Sequence, residues 1–126
     1  MSRILIVEDD TDMVALATRW LERARHQVQH AADGPAGLKM LEADPLPDLV
    51  LLDVMLPKVD GFEVLRRMRA APRTKGLPVI MVTSFSRDKD AQRGRELGAN
   101  DYIVKPLMEI DFLERIEAAL QIKPMT

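Results

Sequence analysis

Cysteine is absent from the 126 residues, which excludes disulfide bonds and thiolate metal sites. Histidine is scarce as well: His26 and His30 are too few for a zinc site, and we expect both to be surface or packing residues. No apolar run approaches the roughly 18 residues that a membrane-spanning helix needs, and the N-terminus carries no secretory pattern. We therefore expect a cytoplasmic protein that does not contact a membrane.

No charge of one sign dominates the sequence. The 18 lysines and arginines nearly balance the 20 aspartates and glutamates, the net charge is −2, and this balance gives no nucleic-acid footprint. The basic group Arg66, Arg67 and Arg69 lies on a predicted helix and is expected to form a solvated face. A hydrophobic content of 47% is typical of a globular domain, which we place at residues 1–122, with 123–126 as a tail or the start of a linker.

The stretch around Asp53 predicts the centre of the fold. Residues 49–52 are apolar without interruption and lead directly into Asp53, while Pro47 and Pro57 leave too little room for a helix. Such a run is typical of a parallel strand that is covered on both faces. An aspartate at a strand end often only caps a turn, so this stretch alone leaves a functional and a structural role equally open.

Further apolar segments alternate with amphipathic helices. The other predicted strands are residues 4–7, the edge strand 27–31, and residues 79–82 and 102–104. Helical spacing of apolar residues predicts four buried helix faces: Met13, Leu16, Ala17, Trp20, Leu21 and Ala24; Leu38 and Leu41; Phe62, Leu65 and Met68; and Phe112, Leu113, Ile116 and Leu120. This alternation predicts an α/β fold in which helices cover both faces of a five-stranded parallel sheet.

The remaining predicted helix, near residues 88–97, is polar on nearly every side. Only Ala91, Gly94 and Leu97 are suited to face a core, and an internal glycine costs about 1 kcal/mol relative to alanine. We expect this helix to be weakly held and to be followed by Gly98 in a left-handed conformation.

Polar residues follow four of the predicted strands: Glu8 and Asp9, Asp53, Thr83 and Lys105. The carboxyl ends of parallel strands meet at one edge of a sheet, so we expect these side chains to lie close together. Carboxylates about 4 Å apart repel by roughly 4 kcal/mol at an effective dielectric near 20, so they require a cation. An oxygen-only ligand set suits Mg²⁺, and a lysine with a threonine suits a phosphoryl group carried on a carboxylate.

These residues resemble the receiver domain of two-component response regulators, of the chemotaxis-regulator type with a doubly wound, flavodoxin-like fold. The resemblance covers nearly the whole chain and rests on four motifs: Glu8-Asp9, the run from Asp53 to Pro57 with Asp60-Gly61, Thr83-Ser84, and the run from Gly98 to Pro106. Glutamate stands at position 8, where aspartate is commoner, and Gly37 replaces the usual alanine. None of the required positions is missing.

The resemblance implies a strand order of 2-1-3-4-5 and a phosphoacceptor at Asp53. The phosphoryl group would come from a sensor histidine kinase or a phosphotransfer protein. Mg²⁺ would be the cofactor, and its ligands would be Glu8, partly through water, Asp9, Asp53 and the backbone carbonyl of Met55.

The resemblance also implies roles for residues at the other strand ends. Thr83, Ser84 and Lys105 would bind the phosphoryl oxygens, and Tyr102 would be the switch aromatic. Gly61 and Pro106 would be structural, with a cis bond before Pro106.

Two hypotheses concern what phosphorylation would do. The face of the fourth helix, fifth strand and fifth helix is the expected output surface for a downstream protein or domain, although a merely solvated helix is the alternative. Met55 and Phe85 flank the expected approach of water and cannot orient it, so we predict slow self-dephosphorylation. Apart from these self-reactions we expect no enzyme activity, and homodimerisation is left open.

Three other interpretations are weighed against the receiver. A flavodoxin would need a phosphate cradle after its first strand, where this chain has Glu8, Asp9 and Asp10. A haloacid-dehalogenase-type phosphatase would place its nucleophile after the first strand, with a second aspartate two residues on, where Met55 stands relative to Asp53. A pseudo-receiver that binds partners without phosphorylation is the third interpretation.

Overall fold

The computed structural model describes residues 2–84 and 88–122, in which five strands alternate with five helices. The strands are β1 (Arg3–Val7), β2 (Gln27–Ala31), β3 (Leu49–Asp53), β4 (Val79–Thr83) and β5 (Asp101–Val104). The helices are α1 (Thr11–Arg23), α2 (Gly34–Met40), α3 (Gly61–Ala70), α4 (Asp88–Glu96) and α5 (Glu109–Leu120). All strands pair in parallel in the order β2-β1-β3-β4-β5, which confirms the predicted flavodoxin-like fold.

The register of the sheet brings distant residues to one edge. Val7 at the end of β1 pairs with Leu52 of β3, so Glu8 follows beside Asp53. Thr83 at the end of β4 pairs with Val104 of β5, so Lys105 follows there. The carboxyl edge of the four strands β1, β3, β4 and β5 therefore gathers the polar residues that the sequence places after them.

Alternating side chains of the strands divide the core into two layers. One layer packs Ile4, Ile6 and Leu51 against α1 and α5, where the rings of Trp20 and Phe112 lie 5.8 Å apart. The other layer packs the intervening strand residues against α2 and α3; its members include Leu5, Val7, Val50, Leu52, Phe62, Leu65 and Met68. β3 is buried along its whole length, as the uninterrupted apolar run predicts.

An aspartate begins each of the first three helices. Asp10, Asp33 and Asp60 are the N-caps of α1, α2 and α3, and each side chain accepts a backbone N–H of the first turn. A cap of this kind stabilises a helix by about 1 kcal/mol.

Some predictions of burial are wrong. Leu16 is 37% exposed, and Ala24 is exposed at the C-cap of α1, so neither belongs to the buried face predicted for that helix. Arg69 does not lie on a solvated face: its half-buried guanidinium donates to the carbonyls of Gly98 and Leu77. Periodicity places residues on a helix, but the width of the covered stripe depends on which neighbour packs there.

The prediction for α4 agrees with the structure. Gly94 is its only buried residue, and Arg93 contacts the ring of Phe62 on α3, with the guanidinium carbon 4.4 Å from the ring centroid. Gly98 follows with a φ of 103°, the left-handed conformation expected of it.

His26 is buried, and its Nε2 lies 2.9 Å from Glu117 on α5, so it is the packing residue that the sequence allowed.

Among the described helices, none has the length and apolar character required to cross a membrane. Phe85 and the tail 123–126 lie outside the described residues, so the role predicted for Phe85 and the domain boundary at residue 122 stay predictions.

Candidate functional site

Three carboxylates meet at the carboxyl edge of the sheet. Glu8, Asp9 and Asp53 each present an oxygen, and these oxygens all lie within 4.8 Å of one another. Glu8 and Asp53 are 1% and 5% exposed, whereas Asp9 is exposed on the loop before α1. The two buried carboxylates arise because β1 and β3 are adjacent central strands that end at the same height.

Lys105 supplies the positive charge of this cluster. Its Nζ lies 2.8 Å from a carboxylate oxygen of Glu8 and 3.9 Å from one of Asp53. Lys105 is therefore poised between the two buried carboxylates, in direct contact with Glu8.

The pKa values of the two buried carboxylates are driven apart. Burial, together with the hydrogen bond and negative charge of Glu8, raises the pKa of Asp53 to about 7, against the smaller opposing effects of the Lys105 charge and the Met55 N–H. Burial opposes ionisation of Glu8 as well, but its hydrogen bonds with Asp53 and Lys105 and the charge of Lys105 leave its pKa lowered. Of the two carboxyl groups, Asp53 is therefore the one at which protonation is favoured.

Backbone amides hold both acidic loops. An oxygen of Glu8 accepts the N–H groups of Asp9 and Asp10, at 3.1 and 3.2 Å. Asp53 Oδ1 accepts the N–H of Met55 at 3.2 Å. The Met55 side chain points outward and is 59% exposed, so only its backbone is suited to the metal role expected of it.

Thr83 and Tyr102 lie on the neighbouring strands. Thr83 is fully buried at the end of β4, and Ser84 follows it at the surface. Tyr102 is half-buried and its hydroxyl oxygen is buried. Burial and the negative charge of Asp90 on α4 raise the pKa of that hydroxyl, and the nearby Thr83 side chain opposes the rise. Thr83, Tyr102 and α4 therefore form one connected group.

Gly61 and Pro106 lie beside the ends of β3 and β5. The Gly61 N–H donates to the Val54 carbonyl at 2.9 Å, and a Cβ at this position would overlap the carbonyl oxygen of Asp53. The bond between Lys105 and Pro106 is cis. Both residues shape the turns that leave β3 and β5 beside the carboxylates.

One contact at this edge was not anticipated. His30 on β2, expected to be a surface or packing residue, places Nε2 2.7 Å from the backbone carbonyl oxygen of Glu8. Its position before the end of an edge strand beside β1 is the signal that sequence reasoning did not use.

The donor set fits a hard divalent cation. Carboxylate oxygens without cysteine or histidine nitrogen ligands are the set that Mg²⁺ prefers. Burial is the main cause of the raised pKa of Asp53 and the negative charge of Glu8 adds to it; a cation beside Glu8, Asp9 and Asp53 would neutralise that charge.

Comparison with known proteins decides the family. The response regulator receiver domain family matches residues 4–117. The chain belongs to this family. Its parallel sheet and the acidic residues at the ends of β1 and β3 are thus those of a receiver domain of two-component signalling.

Relatives of this receiver domain differ in length. It is 43% identical to RpaA, a DNA-binding transcriptional regulator of Synechocystis, over 96% of this chain and 50% of RpaA. It is 37% identical to PilH of Pseudomonas aeruginosa over 95% of this chain and 98% of PilH. The chain thus spans about half the length of the first of these relatives and nearly all of the second.

Solved structures agree with the fold. A response regulator from Chloroflexus aurantiacus superimposes with a TM-score of 0.90 at 34% identity, over 94% of this chain and 97% of that one. The receiver domain of the sensor histidine kinase PA1611 from Pseudomonas aeruginosa, 26% identical, superimposes with a TM-score of 0.86 over 94% of this chain and 97% of that one. That structure has a magnesium ion coordinated in its active-site cleft.

Proposed function

We propose that this receiver domain is a phosphorylation-dependent switch whose acceptor is Asp53. The observation that carries the proposal is the surroundings of that carboxylate. It is buried at the end of the central strand, Lys105 Nζ lies 3.9 Å away, and oxygens of Glu8 and Asp9 lie within 4.8 Å. These groups are what a carboxylate needs to take up and hold a phosphoryl group.

In the proposed reaction an oxygen of ionised Asp53 attacks the phosphorus of a phosphohistidine on the donor protein. The phosphorus–nitrogen bond breaks, its electron pair stays on the imidazole nitrogen, and an acyl phosphate forms on Asp53. Mg²⁺, held by Glu8, Asp9, Asp53 and the Met55 carbonyl, would neutralise charge on the transferring oxygens.

Two residues of the chain would then hold the product. The Lys105 ammonium, now 2.8 Å from Glu8, would turn to a phosphoryl oxygen as the new negative charge forms. Thr83, at the end of the adjacent strand, would donate its hydroxyl to another oxygen, with Ser84 beside it. Because Tyr102 interacts with Thr83, this movement would reach α4.

The first experiment is phosphorylation by acetyl phosphate, which needs no partner protein. With Mg²⁺, the intact mass of the wild-type chain should rise by one phosphoryl group, and Asp53→Asn should show no such rise. The matched control is Asp44→Asn, since the Asp44 side chain is 87% exposed and pairs with Arg73. A wild-type chain that takes up no phosphoryl group would instead support the pseudo-receiver interpretation.

The natural donor is proposed to be a sensor histidine kinase or a phosphotransfer protein. Large apolar side chains are exposed on α1 and at the start of α5: Leu16 at 37%, Met108 at 66% and Ile110 at 76%. Leu16 lines a cleft that also contains Lys105 and Pro106. A donor that must bring a histidine to Asp53 could bury these side chains as it docks.

The proposed output surface is the face formed by α4, β5 and α5. α4 is suited to move because Gly94 is its only buried residue and because it borders Tyr102. The target of this output surface is proposed to be a downstream protein or another domain of the same protein. The relatives include both a longer regulator and one of matching length.

Amide chemical shifts test the output surface. We expect beryllofluoride with Mg²⁺, a phosphoryl mimic, to shift the amides of α4 and β5 as well as those beside Asp53. In Tyr102→Leu the shifts in α4 should shrink while those beside Asp53 persist. Wild-type shifts restricted to the carboxylate site would contradict the proposed surface.

A further inference from the structure

His30 makes a side-chain contact with the backbone of the acidic loop. Its Nε2 lies 2.7 Å from the Glu8 carbonyl oxygen. A carbonyl oxygen accepts only, so Nε2 carries the hydrogen and donates it. His30 is exposed on the edge strand, and burial therefore does not account for its position.

The contact continues the pairing of β1 with β2 beyond its last backbone bond. The Glu8 N–H donates to the carbonyl of Ala31 at 3.0 Å, and Ala31 is the last residue of β2. The His30 imidazole reaches the carbonyl of Glu8, the residue that follows β1. A side chain thus supplies a donor where the strand itself ends.

This contact holds one end of the peptide unit between Glu8 and Asp9. Its carbonyl oxygen accepts from His30, and its N–H donates to a carboxylate oxygen of Glu8 at 3.1 Å. With both ends held, the plane of the unit cannot rotate freely. The plane of this peptide unit sets the direction in which the backbone continues from Glu8 to Asp9. Asp9 lies on the exposed loop before α1, where burial does not fix its position.

We propose that His30 is a positioning residue of the metal site, which presents the Asp9 carboxylate to the oxygens of Glu8 and Asp53. This inference rests on the proposed function, in which these carboxylates bind Mg²⁺. Hydrogen bonds that orient metal ligands are typically worth 10–100-fold in affinity. We expect about tenfold here, since the Asp9 N–H bond to Glu8 still holds the other end of the peptide unit.

The experiment compares three variants by Mg²⁺ titration, with calorimetry and amide chemical shifts as readouts. His30→Thr keeps a β-branched strand residue and removes the donor, whereas His30→Gln places an amide N–H near the position of Nε2. Gln29→Thr is the matched control, because Gln29 is an exposed neighbour on the same strand. We expect a dissociation constant about tenfold higher in His30→Thr, recovery to within about threefold in His30→Gln, and no change in Gln29→Thr.

A second measurement separates positioning from a general structural defect. The rate of phosphorylation by acetyl phosphate should fall in His30→Thr at low Mg²⁺ and return to the wild-type rate at saturating Mg²⁺. A rate that stays low at saturation would overturn the positioning role, and so would a dissociation constant equal to that of the wild type. If the wild-type chain itself binds no Mg²⁺, the proposed function fails first and this inference fails with it.

Discussion

Replacement of Asp53 by asparagine should make the metal-free protein more stable at pH 8. Burial and the neighbouring Glu8 raise the pKa of Asp53 from 3.8 to about 7. Between these two values the folded chain holds a proton that the unfolded chain has released. The stability that this proton contributes is complete below pH ~4 and is lost as the pH rises through ~7.

The size of the effect follows from the shift. About three pH units at 1.36 kcal/mol each correspond to about 4 kcal/mol. The lowered pKa of Glu8, to which its hydrogen bond with Asp53 contributes, stabilises the folded wild-type chain at pH 8 and offsets part of this loss. We therefore expect Asp53→Asn to raise the free energy of unfolding by about 2 to 4 kcal/mol at pH 8. At pH 4 the gain should be close to zero, since protonated aspartate and asparagine are both neutral.

Urea denaturation at pH 4 and pH 8 measures this difference, with the buried Trp20 as the fluorescence probe. Asp44→Asn, on an exposed side chain, should differ from the wild type by less than about 1 kcal/mol at both pH values. Mg²⁺ should stabilise the wild type and narrow the gap. If Asp53→Asn and the wild type are equally stable at pH 8, or if the variant is less stable, ionisation of Asp53 beside Glu8 does not destabilise the folded chain and the reasoning is refuted.

Three further changes give separate tests. Arg25, with a φ of 69° after α1, should tolerate glycine with a gain of about 1 kcal/mol in unfolding free energy, and a loss would show that the left-handed conformation is not costly there. Gly61→Ala should cost about 3 kcal/mol or more by thermal unfolding, because its Cβ would overlap the carbonyl of Asp53; wild-type stability would mean that this turn can relax. Met55→Asn with Phe85→Glu should shorten the lifetime of the phosphorylated chain, followed by loss of the phosphoryl mass, and an unchanged lifetime would contradict the idea that these side chains fail to orient water.

The strand-end residues could be predicted because backbone topology alone brings them together. Once β1, β3, β4 and β5 are parallel, Glu8, Asp53, Thr83 and Lys105 must follow at one edge, whatever the side chains between them. The same holds for the thin apolar stripe of α4, which is a local property of its composition.

The contacts of Arg69, His30 and Leu16 could not be predicted in this way. Arg69 reaches the carbonyls of Gly98 and Leu77 because the end of α3 lies beside the turn after α4 and the segment before β4, and His30 reaches Glu8 because β2 ends there. Each depends on the relative height of two elements, about which periodicity in one element says nothing. The difference in pKa between Glu8 and Asp53 could not be predicted for the same reason, because it depends in part on which carboxylate Lys105 contacts.

The most direct test of the account is a titration of the chain with Mg²⁺ in the presence of beryllofluoride, followed by fluorine NMR. We expect signals of bound fluorine that appear only with Mg²⁺, occur in Asp44→Asn as in the wild type, and are absent from Asp53→Asn. A wild-type chain without bound signals at saturating Mg²⁺, or signals that survive in Asp53→Asn, would contradict the claim that Asp53 carries the phosphoryl group.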